Sequence, residues 1–339
     1  MNDNKPPANW ADRAIGLGSG LASALLFAAS TRGGGLAMAL AYFSPLPAFI
    51  GALGFSLPGA FVGASLGAFL LAQLGQPLLG IAFLLGFALP ALIASALARH
   101  NLPAREGDAS PAPRFFSPGL LFAALLGMAV LAAWIGVAAL TDTFHGFDAA
   151  LEAMLRQFGP SLDDVVESLR KMSAEIEADK VKRLILLSAP AGVATSQMLL
   201  LAVNMWIAAR TVEISGRLGR PWPDLPETLV LPRAVAPIFV IAAGLSFEGG
   251  LTGALAGALA AASGFALALQ GLAALHAFSR NARYRGLILA ALYAAVFALE
   301  PWSLLLLALF GLVESTLSLR ARAARRLSAK IENPEIGKP

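Results

Sequence analysis

Between residues 119 and 140 the chain reads GLLFAALLGMAVLAAWIGVAAL, without one charged side chain. Comparable runs recur along most of its length. A helix needs roughly 17 to 25 predominantly apolar residues to cross a hydrocarbon core, and strand-like alternation is absent. Inside lipid only helices and closed barrels satisfy every backbone N–H and C=O. The expected fold is therefore all-α, a polytopic transmembrane helical bundle. Composition agrees, with 57% hydrophobic and 14% charged residues and a mean hydropathy of +0.70, well beyond an ordinary soluble domain. Cysteine is absent, which excludes thiolate metal sites, thiol catalysis and disulfides.

Spans are expected near 14–30, 36–55, 58–74, 78–98, 119–140, 184–209, 231–247, 250–278, 286–299 and 302–319. With the N-terminus on the cytoplasmic side, 18 of the 25 basic residues fall inside, whereas the 142–183 segment falls outside and is net acidic. The positive-inside rule then places both termini in the cytoplasm. That topology accounts for the net charge of +4 and the pI near 9.7 without nucleic acid. The first apolar segment reaches Ala28-Ala29-Ser30 but lacks a clearly basic start and is followed at once by another span. It reads as a span rather than a cleaved signal peptide. The chain divides into an N-terminal bundle (1–141), an extracytoplasmic amphipathic helical hairpin (142–183), a C-terminal bundle (184–320) and a basic cytoplasmic tail (321–339). Residues 99–117 form a Pro-rich linker loop.

In the hairpin, Leu151, Met154, Leu155 and Phe158 share a helical face that Gly159-Pro160 interrupts. Ser161 and Asp164 suit a capping box, after which Leu162, Val165, Val166, Leu169, Met172 and Ile176 form a second stripe. Two helices meeting at Gly159-Pro160 are expected, either capping the outer end of the bundle or offering a surface to a protein partner.

Most motif-like stretches have plain readings. Asp163-Asp164-Val165-Val166-Glu167 has the spacing that holds magnesium against a diphosphate, but no second acidic cluster completes such a site, so a solvated face is expected. His100, His145 and His276 form no HExxH-like pattern, and GxxxxGK[ST] is missing. No catalytic residue, metal or cofactor is expected, and the chain reads as a non-enzyme. Gly16-Leu-Gly-Ser-Gly20 has no strand before it and reads as a small-residue packing face, as do Gly59, Gly63 and Gly67, and Gly249, Gly253 and Gly257.

Polar residues inside spans carry the candidate site. Tyr42-Phe-Ser-Pro-Leu-Pro47 puts two prolines within a span and frees carbonyls there, giving either a kink or part of a binding site. Gln197 and Asn204 are seven apart, as are Ser263 and Gln270 on another span, and the two pairs have nearly equal calculated depth. Gln197, Asn204, Ser263 and Gln270, with Tyr42 and Ser44, are the candidate ligand-binding set; direct hydrogen bonding between helices is the alternative. Glu314 lies near the inner end of the last span and calls for a basic partner, Arg320 or Arg210 first, or for snorkelling to the headgroups. In Gly219-Arg-Pro-Trp-Pro-Asp-Leu-Pro226, prolines keep a connector extended while Trp222 lies at headgroup level and Pro232 starts the next span.

From Asn204 through Arg217 and RPWPDLP to Leu231-Pro232, then Leu269-Gln-Gly-Leu272, and finally Leu309-Phe-Gly-Leu-Val-Glu314 leading to Arg320, the C-terminal half resembles the bacterial membrane-protein family known as DUF2232, or YybS-like. That family is grouped with the S-components of energy-coupling-factor transporters and with the cell-shape protein MreD. The resemblance implies an S-component-like helical core and no particular substrate. The hairpin and the number of spans depart from a minimal S-component. The function expected is binding or transport of a small solute or lipid-like molecule, with a non-catalytic scaffold in envelope assembly as the alternative. The partners expected are the lipid bilayer, a small solute or lipid ligand, and a protein reached through 142–183.

Overall fold

The structure, a computed structural model, describes residues 9–74, 77–102, 114–172, 177–300, 302–323 and 325. Residues 103–113 of the 99–117 loop, Ile176 and the tail from 326 onward lie outside the described residues, as does the Met172 side chain. Helices dominate. Apart from a two-residue antiparallel ladder between β1 (Asn101–Leu102) and β2 (Arg114–Phe115), the described elements are helical. Among the described residues, six stretches are long and apolar enough to cross a membrane: Trp10–Arg32, Gly35–Gly54, Pro77–Arg99, Pro118–Thr143, Ala178–Ile214 and Gly250–Phe278. Four further apolar helices are shorter: Leu57–Gln73, Val235–Glu248, Arg285–Ala298 and Trp302–Leu317.

The chain forms two compact units, one of residues 1–128 with 197–224 and one of 129–196 with 225–339. The first holds α1 (Trp10–Ala29), α2 (Gly35–Tyr42), α3 (Pro45–Gly54), α4 (Leu57–Gln73), α5 (Pro77–Phe83) and α6 (Leu89–Arg99), with halves of α7 (Pro118–Thr143) and α10 (Ala178–Ile214). The second holds the other halves of α7 and α10, with α8 (Phe147–Phe158), α9 (Asp163–Met172), α11 (Leu225–Thr228), α12 (Val235–Leu245), α13 (Gly250–Phe278), α14 (Arg285–Ala298) and α15 (Trp302–Leu317).

In the first unit the glycine faces of α1 and α4 meet one another. A Cβ added at Gly63 would lie 2.0 Å from the Leu17 carbonyl oxygen, and one at Gly20 would lie 2.3 Å from the Ala64 nitrogen. Any side chain there forces the helices apart. Gly18 points into open space. Phe49 and Leu53 of α3, Leu121 and Leu125 of α7, and Leu201, Met205 and Val212 of α10 form a close-packed core. Gly216 ends α10 at φ +69°; its N–H bonds Glu213 O at 2.9 Å and Arg217 N–H bonds Val212 O at 3.1 Å, a Schellman closure. Arg217 then pairs with Asp12 at 3.0 Å. Trp222 packs against the α3–α7–α10 core. Its extended proline neighbours hold it at the core edge. Arg220 donates to Phe116 O at 3.0 Å, and burial pushes its guanidinium below the ordinary value.

In the second unit α8 and α9 are separate helices joined by a 3₁₀ turn over Gly159–Leu162. Ser161 sits inside that turn instead of outside the next helix. Leu151 and Val166 are buried, while Phe158 and Val165 remain exposed. Asp163 is taken up by Lys182, and Glu152 pairs with Arg183 at 3.3 Å, so the start of α10 ties down the acidic face.

The glycine contact between α1 and α4 yields a direct test. Gly63→Leu is expected to destabilise the protein by about 3 kcal/mol or more, because overpacking here collides with backbone. Gly18→Leu is expected to change stability by less than about 0.5 kcal/mol. Denaturant unfolding in detergent, with monodispersity by size exclusion, checks both.

Candidate functional site

The polar residues of α10 answer carbonyls that prolines release. Pro90 has no N–H for the carbonyl four residues earlier, that of Gly86, and the chain widens to a π segment over Leu84–Ala88. Gln197 Nε2 donates to Gly86 O. At the break between α2 and α3, the Leu46 N–H turns to Phe43 O at 3.1 Å, which leaves Tyr42 O open. Asn204 Nδ2 donates to it at 2.9 Å and to Leu200 O at 2.8 Å. The two facing carbonyls fix the amide orientation. Asn204 Oδ1 has no partner among the described residues, although the residue is 2% exposed. The Ser44 hydroxyl donates to Ser23 O at 3.0 Å, and Ser23 Oγ accepts from Ala48 N–H at 2.9 Å. These bonds tie α1 across the break. The Tyr42 side chain itself is exposed.

Ser263 and Gln270 belong to the second unit, and their bonds stay within it. The Ser263 hydroxyl donates to its own helix, at Leu259 O (2.6 Å) and Ala260 O (3.2 Å). Gln270 Oε1 accepts from Leu231 N–H at 2.8 Å, and its Nε2 donates to Gly311 O at 3.4 Å. Both ends of that amide are therefore committed to backbone. The structure joins Asn204 to Tyr42 through a main-chain carbonyl and Gln270 to the segment before α12. Tyr42, Ser44, Gln197 and Asn204 belong to the first unit, and Ser263 and Gln270 to the second. Close approach of α13 occurs at Gly271, whose added Cβ would lie 2.4 Å from Leu307 O, and at Gly311, 1.9 Å from Leu267 O. A Cβ added at Gly253 would lie 3.1 Å from Ser246 O and 3.8 Å from the Glu248 carbonyl carbon, one at Gly257 would lie 4.0 Å from Ser246 Cβ, and Gly249 precedes the helix at φ +72°.

Glu314 is buried and finds its base. The chain leaves α15 through Ser318 at φ +51°, which brings Arg320 back over the helix end. A straight helix would set residues six apart about 240° around the axis. Arg320 Nε donates to Glu314 Oε1 at 2.8 Å, Nη1 to Pro226 O at 2.7 Å and Nη2 to Leu229 O at 2.7 Å. One guanidinium thus neutralises a buried carboxylate and holds two carbonyls of the proline-rich connector. Arg210 bonds Glu213 instead.

The second unit also contains an apolar groove of about 180 Å³ between α7, α8 and α10. Ala132, Ala133, Gly136, Val137, Leu140 and Thr141 form one wall, Phe147, Ala150, Leu151 and Met154 the roof, and Ala189, Pro190 and Val193 the other wall. Its single hydroxyl, on Thr141, is turned back to Val137 O at 2.8 Å. Apolar cavities of about 150 Å³ stay dry and accept a benzene-sized molecule. The groove can take a segment of hydrocarbon and offers no directed polar contact. Pro190 was its one signal in the sequence, a helix-breaking residue deep inside an apolar run. Among the described residues no three His, Cys, Asp or Glu side chains are grouped to hold a metal ion.

Fold and site together define an all-α chain of multi-pass membrane character. Comparison with protein-family models, with curated proteins and with solved structures finds no match to this chain.

The arginine contacts can be tested by substitution. Arg320→Leu leaves Glu314 buried and unpaired and is expected to cost about 3–5 kcal/mol. Arg320→Lys is expected to recover only part of that, because one ammonium cannot reproduce the planar three-way contact. Thermal unfolding of the purified variants in detergent measures the difference.

Proposed function

We propose that this protein is a non-catalytic, multi-pass component of a bacterial inner membrane that holds a lipid-like molecule in the groove between α7, α8 and α10. The observation that carries this reading is the lining: two apolar helices and an amphipathic roof enclose a space with no free polar group. A polar solute has less support, since Gln270 is occupied at both ends and Gln197 is engaged by Gly86. The topology proposed has about ten crossings, both termini inside and the α8–α9 hairpin outside, on the charge asymmetry of the loops. Membership of the DUF2232, or YybS-like, family remains part of the proposal. Within the segments that carry the resemblance, Gln270 bonds Leu231 and Gly311, and Arg320 bonds Glu314 and Leu229, which supports the reading that these segments pack together.

Gly136 and Gly127 both face open space on α7, but only Gly136 borders the groove. Gly136→Leu is expected to insert and stay monodisperse while losing most of whatever hydrophobic molecule co-purifies; Gly127→Leu should retain it. Mass spectrometry of organic extracts decides. Equal retention by both variants removes the groove from consideration.

The topology has its own test. A reporter active only in the periplasm should be silent when fused after Pro339 and active when inserted at Gly159. Activity at the C-terminus would overturn the even number of crossings.

A further inference from the structure

A second cavity, of about 410 Å³, lies in the first unit where the start of α1, the start of α4 and the end of α6 come together. Its charged lining consists of two cations, Arg13 and Arg99; the remainder is Leu17, Val62 and the Phe55–Gly59 segment. Among the described residues no carboxylate borders it. The nearest in sequence, Asp12, is drawn away to Arg217, which also stacks over the Phe55 ring at 4.5 Å from its centroid.

Both arginines are held at their bases and open at their tips. The Arg13 backbone is fixed against α4, because Gly59 lets the Arg13 carbonyl oxygen approach to 2.6 Å of where a Cβ would stand. The Arg13 guanidinium has no hydrogen-bond or ion-pair partner among the described residues. Arg99 Nη1 donates to Ala52 O near the end of α3, which orients the guanidinium and leaves its other donors without a protein acceptor among the described residues. The first turn of α4 is already closed: Ser56 Oγ accepts from Gly59 N–H at 3.1 Å, and Ser56 O accepts from Ala60 N–H at 2.9 Å. The two guanidiniums, not the helix terminus, therefore define what the cavity recognises.

We propose that this cavity binds a phosphate group through Arg13 and Arg99. Two like charges sharing one cavity repel each other until an anion lies between them. Planar guanidinium forks match a tetrahedral oxyanion by paired N–H···O bonds. The volume exceeds a phosphate alone, and the wall of Leu17, Leu57 and Val62 suits an esterified phosphate with an apolar substituent. This site lies in a different unit from the hydrocarbon groove and does not depend on it. Its phosphate comes from a phospholipid headgroup or from a soluble phosphate.

The test uses the full chain, delipidated in phosphate-free maltoside micelles. One arm adds phosphatidic acid and counts lipid bound per protein by native mass spectrometry; the other adds inorganic phosphate and follows thermal unfolding. The wild type is expected to retain one phosphatidic acid or to gain at least 3 °C with phosphate, and raised ionic strength should weaken either response. Retention of lipid alone assigns the headgroup; a phosphate response that competes with lipid assigns the soluble anion. Arg13→Gln, which removes no internal bond, is expected to weaken binding at least tenfold without lowering the unliganded melting temperature. Arg13→Lys should recover part of it. Wild type indifferent to both ligands, or Arg13→Gln binding as well as wild type, overturns the proposal.

Discussion

A carbonyl released by a proline or a helix end inside an apolar protein has no water to turn to, and leaving it bare costs several kcal/mol. Much of this structure follows from that constraint. Gln197 reaches Gly86, Asn204 reaches Tyr42, Arg99 reaches Ala52, Arg220 reaches Phe116, and Arg320 reaches Pro226 and Leu229. In each case a polar side chain from one segment donates to a main-chain carbonyl of another. These bonds do more than fill vacancies. They fix which helix lies beside which, because a side chain of given length can serve a released carbonyl only in one packing arrangement.

Local chemistry made part of this visible in the chain. The prolines at 45 and 47 announced a break, and α2 ends at Tyr42. Gly159-Pro160 announced the joint between α8 and α9. The four-residue glycine spacing announced close approach, and a buried glutamate near a helix end required a base. What periodicity could not supply was the partner. Gly16 to Gly20 and Gly59 to Gly67 were read as two faces, but only the fold shows that they meet each other. The equal calculated depths of Asn204 and Gln270 were an argument about height along the helix, whereas partnership depends on which neighbour stands at that height. Gln270 found the nitrogen of Leu231, in a connector that no helical pattern describes. Gly271 and Gly311, at the tightest crossing of the second unit, stand singly, without the repeat that marks a packing face. The apolar groove was equally hidden, since its walls use the same Ala, Val and Leu that fill any lipid-facing helix.

The two cavities differ in what surrounds them. The groove in the second unit is walled by apolar side chains and one hydroxyl that bonds its own helix, so it selects by shape and hydrophobicity. The cavity in the first unit is bordered by charges that the protein leaves unbalanced, so it selects by sign and geometry. An amphiphile is the chemical class that would satisfy either, by its tail in one and its headgroup in the other.

The grip of Arg320 on Pro226 and Leu229 has a consequence for how the chain is made. During synthesis the connector leaves the ribosome roughly ninety residues before the arginine that secures it, a separation visible in the contacts themselves. Until then Glu314 lacks its counter-charge and the connector carbonyls lack their donor. Completion of the second unit therefore waits on almost the last described residue. A nascent or truncated polypeptide that stops short of it carries an exposed acid and an unsecured loop, the kind of defect by which membrane quality control distinguishes an unfinished chain from a finished one.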